Sequence, residues 1–248
     1  MIKFFRHIRK SLLMETGKTS KYFKYAIGEI ILVVIGILIA LSINTWNENK
    51  KTKSYEVKML SEIAKALDSD INYFKFSSKR LQSLDSASTH FIRLVHEKST
   101  FNDTLYKAGF SRWYYLRAGI NYLYNPGPYE ALKSSGLDRV SNDSLRNNLI
   151  NFYDFESPRR EALIQHYDRE YEDDVAKLES FLGDPFTEEE DGEIKIYSKF
   201  PEDLFLNIDF LELLRNINTR AKISGSAVNS HIPKMENLRD QIKSEINQ

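Results

Sequence analysis

The chain has 248 residues, and its 35 lysines and arginines are balanced by 35 aspartates and glutamates. With no basic excess to neutralise phosphates, nucleic acid is not an expected partner. Cysteine is absent, which excludes disulfides, thiolate metal sites and cysteine nucleophiles, while a hydrophobic share of 42% marks a folded rather than a disordered chain.

The chain opens with "MIKFFRHIRKSLL", where Phe4, Phe5, Ile8, Leu12 and Leu13 recur at helical spacing among cations. Such a stretch, counted here as residues 1–24 with the linker that follows, suits a helix lying on an anionic membrane leaflet. Gly17-Lys18-Thr19 ends like a phosphate-binding loop, but Leu12 stands where that motif needs its first glycine and no strand precedes it. The stretch is read as a solvated linker.

Next comes "YAIGEIILVVIGILIALSINTWNENK", whose apolar centre, Ile30 to Leu41, is only twelve residues long and follows Glu29. Extended to Tyr25–Asn44 it reaches twenty residues, a helix of about 30 Å, which matches a bilayer's hydrocarbon core. Tyr22, Tyr25 and Lys24 on one side and Asn44, Trp46 and Asn47 on the other suit the headgroup zone, and a membrane span over residues 25–45 is the reading taken. One rival is a cleavable signal peptide ending at Ala40-Leu41-Ser42, although nearly thirty residues precede the apolar run. A soluble core helix is the other, although no polar face interrupts Ile30 to Leu41. Arg6, Arg9, Lys10, Lys18, Lys21 and Lys24 before the span outweigh Lys50, Lys51, Lys53 and Lys58 after it, which places the N-terminus in the cytoplasm. The remainder, 46–248, is then an extracytoplasmic domain, in the periplasm of a Gram-negative host. Along the span Glu29, Gly36 and Ile43 are seven apart, with Ala40 close to the same line, a face of small residues that suits self-association. Continuing by sevens reaches Lys50 and Val57.

Those two segments, together with "YEALKSSGLDRVSNDSLRNNLINFYDF" further on, resemble a bacterial domain-of-unknown-function family of short, single-pass, N-terminally anchored envelope proteins. The resemblance covers the whole chain, and the membrane segment is its most specific part. It implies a topology and a mostly helical external domain, and brings with it no activity, cofactor or catalytic residue.

Beyond the span, Val57, Leu60, Ala64, Leu67, Ile71, Phe74 and Leu81 repeat in three- and four-residue steps. Ser78 reads as an interruption, and the helix continues through Phe91, Ile92 and Val95. "STFND" ends it, with Asp103 as the next N-cap. The segment "AGFSRWYYLRAGINYLYNPGP" is aromatic and irregular. A short helix over Tyr129–Ser135 closes on Gly136, and Asn142 or Asp143 caps the next, which meets a restart at Ser157-Pro158 and runs on towards Gly183. Asp191-Gly192 beside Ile194 and Ile196 suggests a small hairpin near 186–197. The last helix starts near Asn207, with Phe210, Leu214, Ile217, Ala221, Ser224, Val228, Met235, Leu238 and Ile242 on its apolar stripe and bends expected at Gly225 and Pro233. The fold class is all-α, a membrane helix followed by an extramembrane helical bundle.

Chemistry is sparse. His166 and Glu170 share a helix face, but no HExxH or ExxH pair supports a metal site, and "TEEEDGE" does not alternate oxygen ligands as a calcium loop does. No activated-serine spacing occurs. Asp-Ser/Thr strings at Asp85, Asp103 and Asp143 resemble an O-glycosylation pattern, and helix capping accounts for two of them. The one cluster of interest is Trp113, Tyr114, Tyr115, Arg117, Tyr122 and Tyr124, with Phe110, Arg112 and Tyr129 nearby. Rings and cations together can hold a ligand, yet rings also fill space between long helices, and packing is the expected role. The expectation is an interaction or structural module of the envelope and not an enzyme, with no cofactor. Its expected partners are the lipid bilayer and a second copy or another envelope protein, and its ligand is unknown. The alternative is a sensory or ligand-binding ectodomain that signals through a partner.

Overall fold

A computed structural model describes residues 19–99 and 112–247. The amphipathic stretch expected at the N-terminus, the cap at Asp103 and the ring of Phe110 lie outside them. The chain separates into two compact units, Met1–Tyr55 and Glu56–Gln248, and helix α1 (Thr19–His96) runs across the division.

In the first unit, the apolar part of α1 is long and apolar enough to cross a membrane. Every side chain from Ile30 to Leu41 is exposed, unlike those of a core helix in a soluble domain. A helix is the conformation that satisfies each backbone amide within a single apolar segment.

The second unit is built on the antiparallel pairing of α1, from Glu56 onward, with α6 (Ile208–Ile246). Rising numbers on one helix meet falling numbers on the other. Arg239 and Lys243 donate to Asp68, Lys75 to Glu236 and Asn218 to Asp85. Between them the apolar stripes interdigitate: Leu60, Leu67, Ile71, Phe74 and Phe91 on α1, and Phe210, Leu214, Ile217, Val228, Met235 and Ile242 on α6, are buried. Each such side chain contributes roughly 1.5–3 kcal/mol. Ser78 does not interrupt the stripe as expected. It is buried and donates to Asn229 Oδ1 at 2.6 Å, so a hydrogen bond fills the position where a methyl group would otherwise pack. Asn207 caps α6 by accepting from the amides of Asp209 and Phe210, and the helix is continuous through Gly225 and Pro233.

Shorter elements cover this pair. Residues 112–116 form one helical turn, and α2 (Gly127–Ser135) begins in the Pro126-Gly127-Pro128 sequence and ends at Gly136, whose φ of 106° suits a residue without a Cβ. Asn142 is the cap of α3 (Asp143–Ile150), accepting from the amide of Leu145 at 3.1 Å. That helix passes through a π-helical turn, Asn151–Glu156, into α4 (Ser157–Asp168). Pro158 has no N–H for the carbonyl four residues back and crowds it, which widens the turn at the expected restart. The helix expected to run to Gly183 instead breaks at Arg169-Glu170, and α5 (Tyr171–Ser180) starts anew. The acidic run Glu172-Asp173-Asp174 is the first turn of α5, where the helix dipole favours negative charge. Strands β1 (Pro185–Glu190) and β2 (Glu193–Ser198) pair as the hairpin expected there, and positive φ at both Asp191 and Gly192 gives a tight turn with the strand twist.

One ionisable group sits inside the α1–α6 seam. His231 completes the repeat between Val228 and Met235 and is fully buried. Its Nε2 lies 3.3 Å from Ser157 Oγ, the Phe152 ring stacks on it at 5.0 Å and 4°, and Nδ1 has no hydrogen-bond partner among the described residues. Burial, reinforced by the nearby Arg160 charge, pulls the imidazole down to about 4. Between that value and its unfolded value near 6.5 the unfolded chain binds a proton that the folded chain refuses. Stability from this group is therefore complete above pH 6.5 and is lost as pH falls, by about 3 kcal/mol near pH 4. His231→Phe should reduce the fall in stability between pH 6.5 and 4 by about that amount. Parallel urea titrations of wild type and variant at both pH values check this, and equal slopes would refute it.

Candidate functional site

Helix α1 carries a second stripe besides the one it buries in the seam. Phe76, Lys79, Arg80 and Ser83 follow each other at three- and four-residue spacing and face outward. Opposite them lie Tyr114, Tyr115, Arg117 and Ala118, and Tyr171 and Val175 of α5 close the far side. Together they line a groove of about 530 Å³. A second chamber of about 240 Å³ adjoins it and shares Phe76, Arg80 and Tyr171. Its remaining lining includes Tyr73, Ser77, Asn121 and Asp168.

The aromatic cluster singled out in the sequence is divided by this arrangement. Trp113 is 3% exposed and packs at 4.8 Å from Phe200, 5.7 Å from Phe91 and 5.8 Å from Phe210. Tyr122 is also buried, 4.9 Å from Phe74, with its hydroxyl pushed well above the usual range by burial, and half-buried Tyr124 leans against it. Tyr129 is fully buried, stacked on Tyr153 and donating to Asp154. Tyr114 and Tyr115, by contrast, are 70% and 43% exposed and stand on the groove wall. Within the helical turn at 112–116, Trp113 faces the core and Tyr114 and Tyr115 face outward.

Tyr171 is the floor. Its hydroxyl donates to the Arg117 carbonyl at 2.8 Å, and its ring lies against the backbone at Gly119, where an added Cβ would come within 2.8 Å of it. Behind the ring, at 5.1 Å, is the buried guanidinium of Arg220. Nη1 of Arg220 donates to Asp174 at 2.7 Å, and Nε lies 3.6 Å from Asp168. Burial raises both carboxyls above their ordinary range against the pull of Arg220. Sequence reasoning missed this triad because its members are distant in the chain and polar residues carry no periodic signal. Phe76 was the available clue, as an apolar residue off the seam stripe.

Among the described residues none that lines the larger chamber is acidic, and Lys79 and Arg80 have no carboxylate partner there. Arg117 is held by Glu179 at 2.7 Å. The only side-chain hydroxyl of a serine in that chamber, Ser83, donates to the Lys79 carbonyl. The arrangement is suited to holding an anion beside aromatic faces. The buried Ser157–His231 pair is sealed in the core, away from the groove. His166 and Glu170, the pair weighed for a metal, are both exposed, and His166 Nδ1 lies 3.4 Å from Arg169. Glu29, Gly36, Ala40 and Ile43 are all exposed on α1, and among the described residues nothing besides the adjoining turn of its own helix lies within 4 Å of a Cβ built at Gly36.

No curated protein and no solved structure matches this chain. A family profile, described as a family of unknown function, DUF6090, matches residues 29–213, from the membrane-compatible part of α1 into α6. The match covers most of the chain and nearly all of the groove's supporting elements, and the protein belongs to that family.

Proposed function

We propose that the protein is a single-pass protein of a bacterial envelope, with its N-terminus in the cytoplasm and its helical domain outside, and that this domain is a binding module rather than an enzyme. The orientation is supported by the excess of lysine and arginine ahead of the apolar stretch. Alkaline phosphatase fused after Gln248 should be active in cells, and an inactive fusion would overturn the orientation.

The observation that carries the binding reading is the groove, where exposed rings converge with Lys79 and Arg80, which have no carboxylate partner among the described residues, on a cavity within the size range of small-ligand sites. The full-length protein should gain thermal stability with at least one member of a panel of small anions that includes carboxylates, phosphate esters and acidic saccharides. Tyr115→Ala should abolish that gain while leaving the unliganded melting temperature nearly unchanged. Trp113→Ala should lower the unliganded stability itself by about 3–5 kcal/mol. A panel without a single shift would end this reading.

Self-association is the second reading, favoured by the open face at Gly36 with Glu29, Ala40 and Ile43 on the same side. In a two-hybrid assay for membrane helices, Gly36→Ile should weaken association more than Gly28→Ile. Equal effects would sink it.

A further inference from the structure

The geometry points to a carbohydrate site: the groove takes a short acidic oligosaccharide, with ring C–H faces on Phe76, Tyr114 and Tyr115 and its carboxylate on Lys79 and Arg80. This rests on the reading of the domain as a binding module and names the ligand's class.

The first reason is how the rings are presented. Phe76, Tyr114 and Tyr115 are 61%, 70% and 43% exposed, so a ligand lying on them keeps its other side in water. An acyl chain would leave much of its surface uncovered there and recover little of its transfer free energy. A pyranose has an apolar C–H face and a hydroxylated rim, and loses nothing by being covered on one side.

Charge is the second. Phe76 alternates along α1 with Lys79 and Arg80, which have no carboxylate partner among the described residues, and the described lining of that chamber holds no acid. A neutral ligand would leave two cations unanswered, whereas a uronate carboxylate beside Arg80 receives a planar pair of N–H donors. The third reason is the adjoining chamber. Ser77, Asn121 and Asp168 supply donors and acceptors of the kind that hydroxyl groups need, and Arg80 and Tyr171 stand in both chambers. A ligand that crosses from one to the other therefore needs an anion near the junction, an apolar ring face on one side and hydroxyls on the other. Short acidic oligosaccharides meet all three requirements at once. Anions without a ring meet two at most, and a nucleotide carries its hydroxylated ribose between base and phosphate, so its anion falls at one end and not at the junction.

The test uses full-length protein in nanodiscs, titrated with trigalacturonate, maltotriose, uridine monophosphate and inorganic phosphate by calorimetry. Trigalacturonate should bind saturably, and the other three should each bind at least about tenfold more weakly. Arg80→Glu and Tyr115→Ala should each weaken trigalacturonate by about tenfold or more, and added salt should weaken wild-type binding. The inference is overturned by absent trigalacturonate binding, by a maltotriose affinity equal to it, or by phosphate or the nucleotide matching it. It is also overturned if both variants bind like wild type, which would put the sugar elsewhere. Should trigalacturonate fail while another anion of the panel still raises the melting temperature, the saccharide class falls and the binding module stands. If no anion has any effect, both fall together.

Discussion

The antiparallel seam between α1 and α6 is the constraint on which the rest of the second unit depends. Its two stripes bury large side chains along about forty residues of each helix. Apolar packing alone would leave the register soft, because one leucine fits a hole much like another. The polar members supply what packing lacks. Ser78 reaches Asn229, Asn218 reaches both Asp85 and Ser88, and Asp68 takes Arg239 and Lys243. A shift by one heptad would break each of these pairings, and at buried Ser78 the lost partner costs roughly 1–3 kcal/mol.

Fixing the seam also fixes what faces away from it. A helix that buries one stripe must turn another outward, and on α1 that second stripe is Phe76, Lys79, Arg80 and Ser83. The aromatic segment is pinned against the same helix from the other side. Trp113 is driven into the cluster of Phe91, Phe200 and Phe210, Tyr73 donates to the Asn121 carbonyl and Asp70 accepts from the Asn125 amide. With Trp113 and Tyr122 buried, the rings between them have nowhere to go but outward. The groove is thus a by-product of core packing that has been furnished with charge.

Much of this was legible in the sequence wherever period or turn chemistry spoke. The α6 stripe, the Asn207 cap, the Asp191-Gly192 hairpin and the Gly136 stop all follow from local rules that tertiary contacts do not override. Ser78 was misread as an interruption and His231 left out of the α6 stripe, because both look like gaps to a count of apolar positions although both belong to the seam. The break at Arg169-Glu170 was hidden for a related reason. Acidic residues are common both on solvated helix faces and in first turns, and only the tertiary partner of Asp174 decides between them. Of the groove, Tyr114, Tyr115 and Arg117 stood out by composition, but their division from Trp113 and Tyr122 did not. The walls given by α1 and α5 required a topology that spacing cannot supply.

That break in turn explains the buried arginine. Taking Arg220 out of water with two carboxylates is costly, and such clusters are often no more stable than well-packed apolar replacements. Among the described residues two of its nitrogens, Nε and Nη2, find no hydrogen-bond partner, so the cluster is far from the best that stability alone would select. What it does achieve is geometric. Asp168 ends α4, Asp174 lies in the first turn of α5, and Arg220 projects from α6, so one guanidinium ties three helices at the point where the chain turns. Tyr171 sits in that turn, between the cation behind it and the groove before it. Its ring is positioned by the attraction of the cation to its face, by the hydrogen bond from its hydroxyl to the Arg117 carbonyl, and by the space left at Gly119. An apolar substitute at position 220 would strand the buried carboxylate of Asp174, and would leave the groove floor without the contact that orients it.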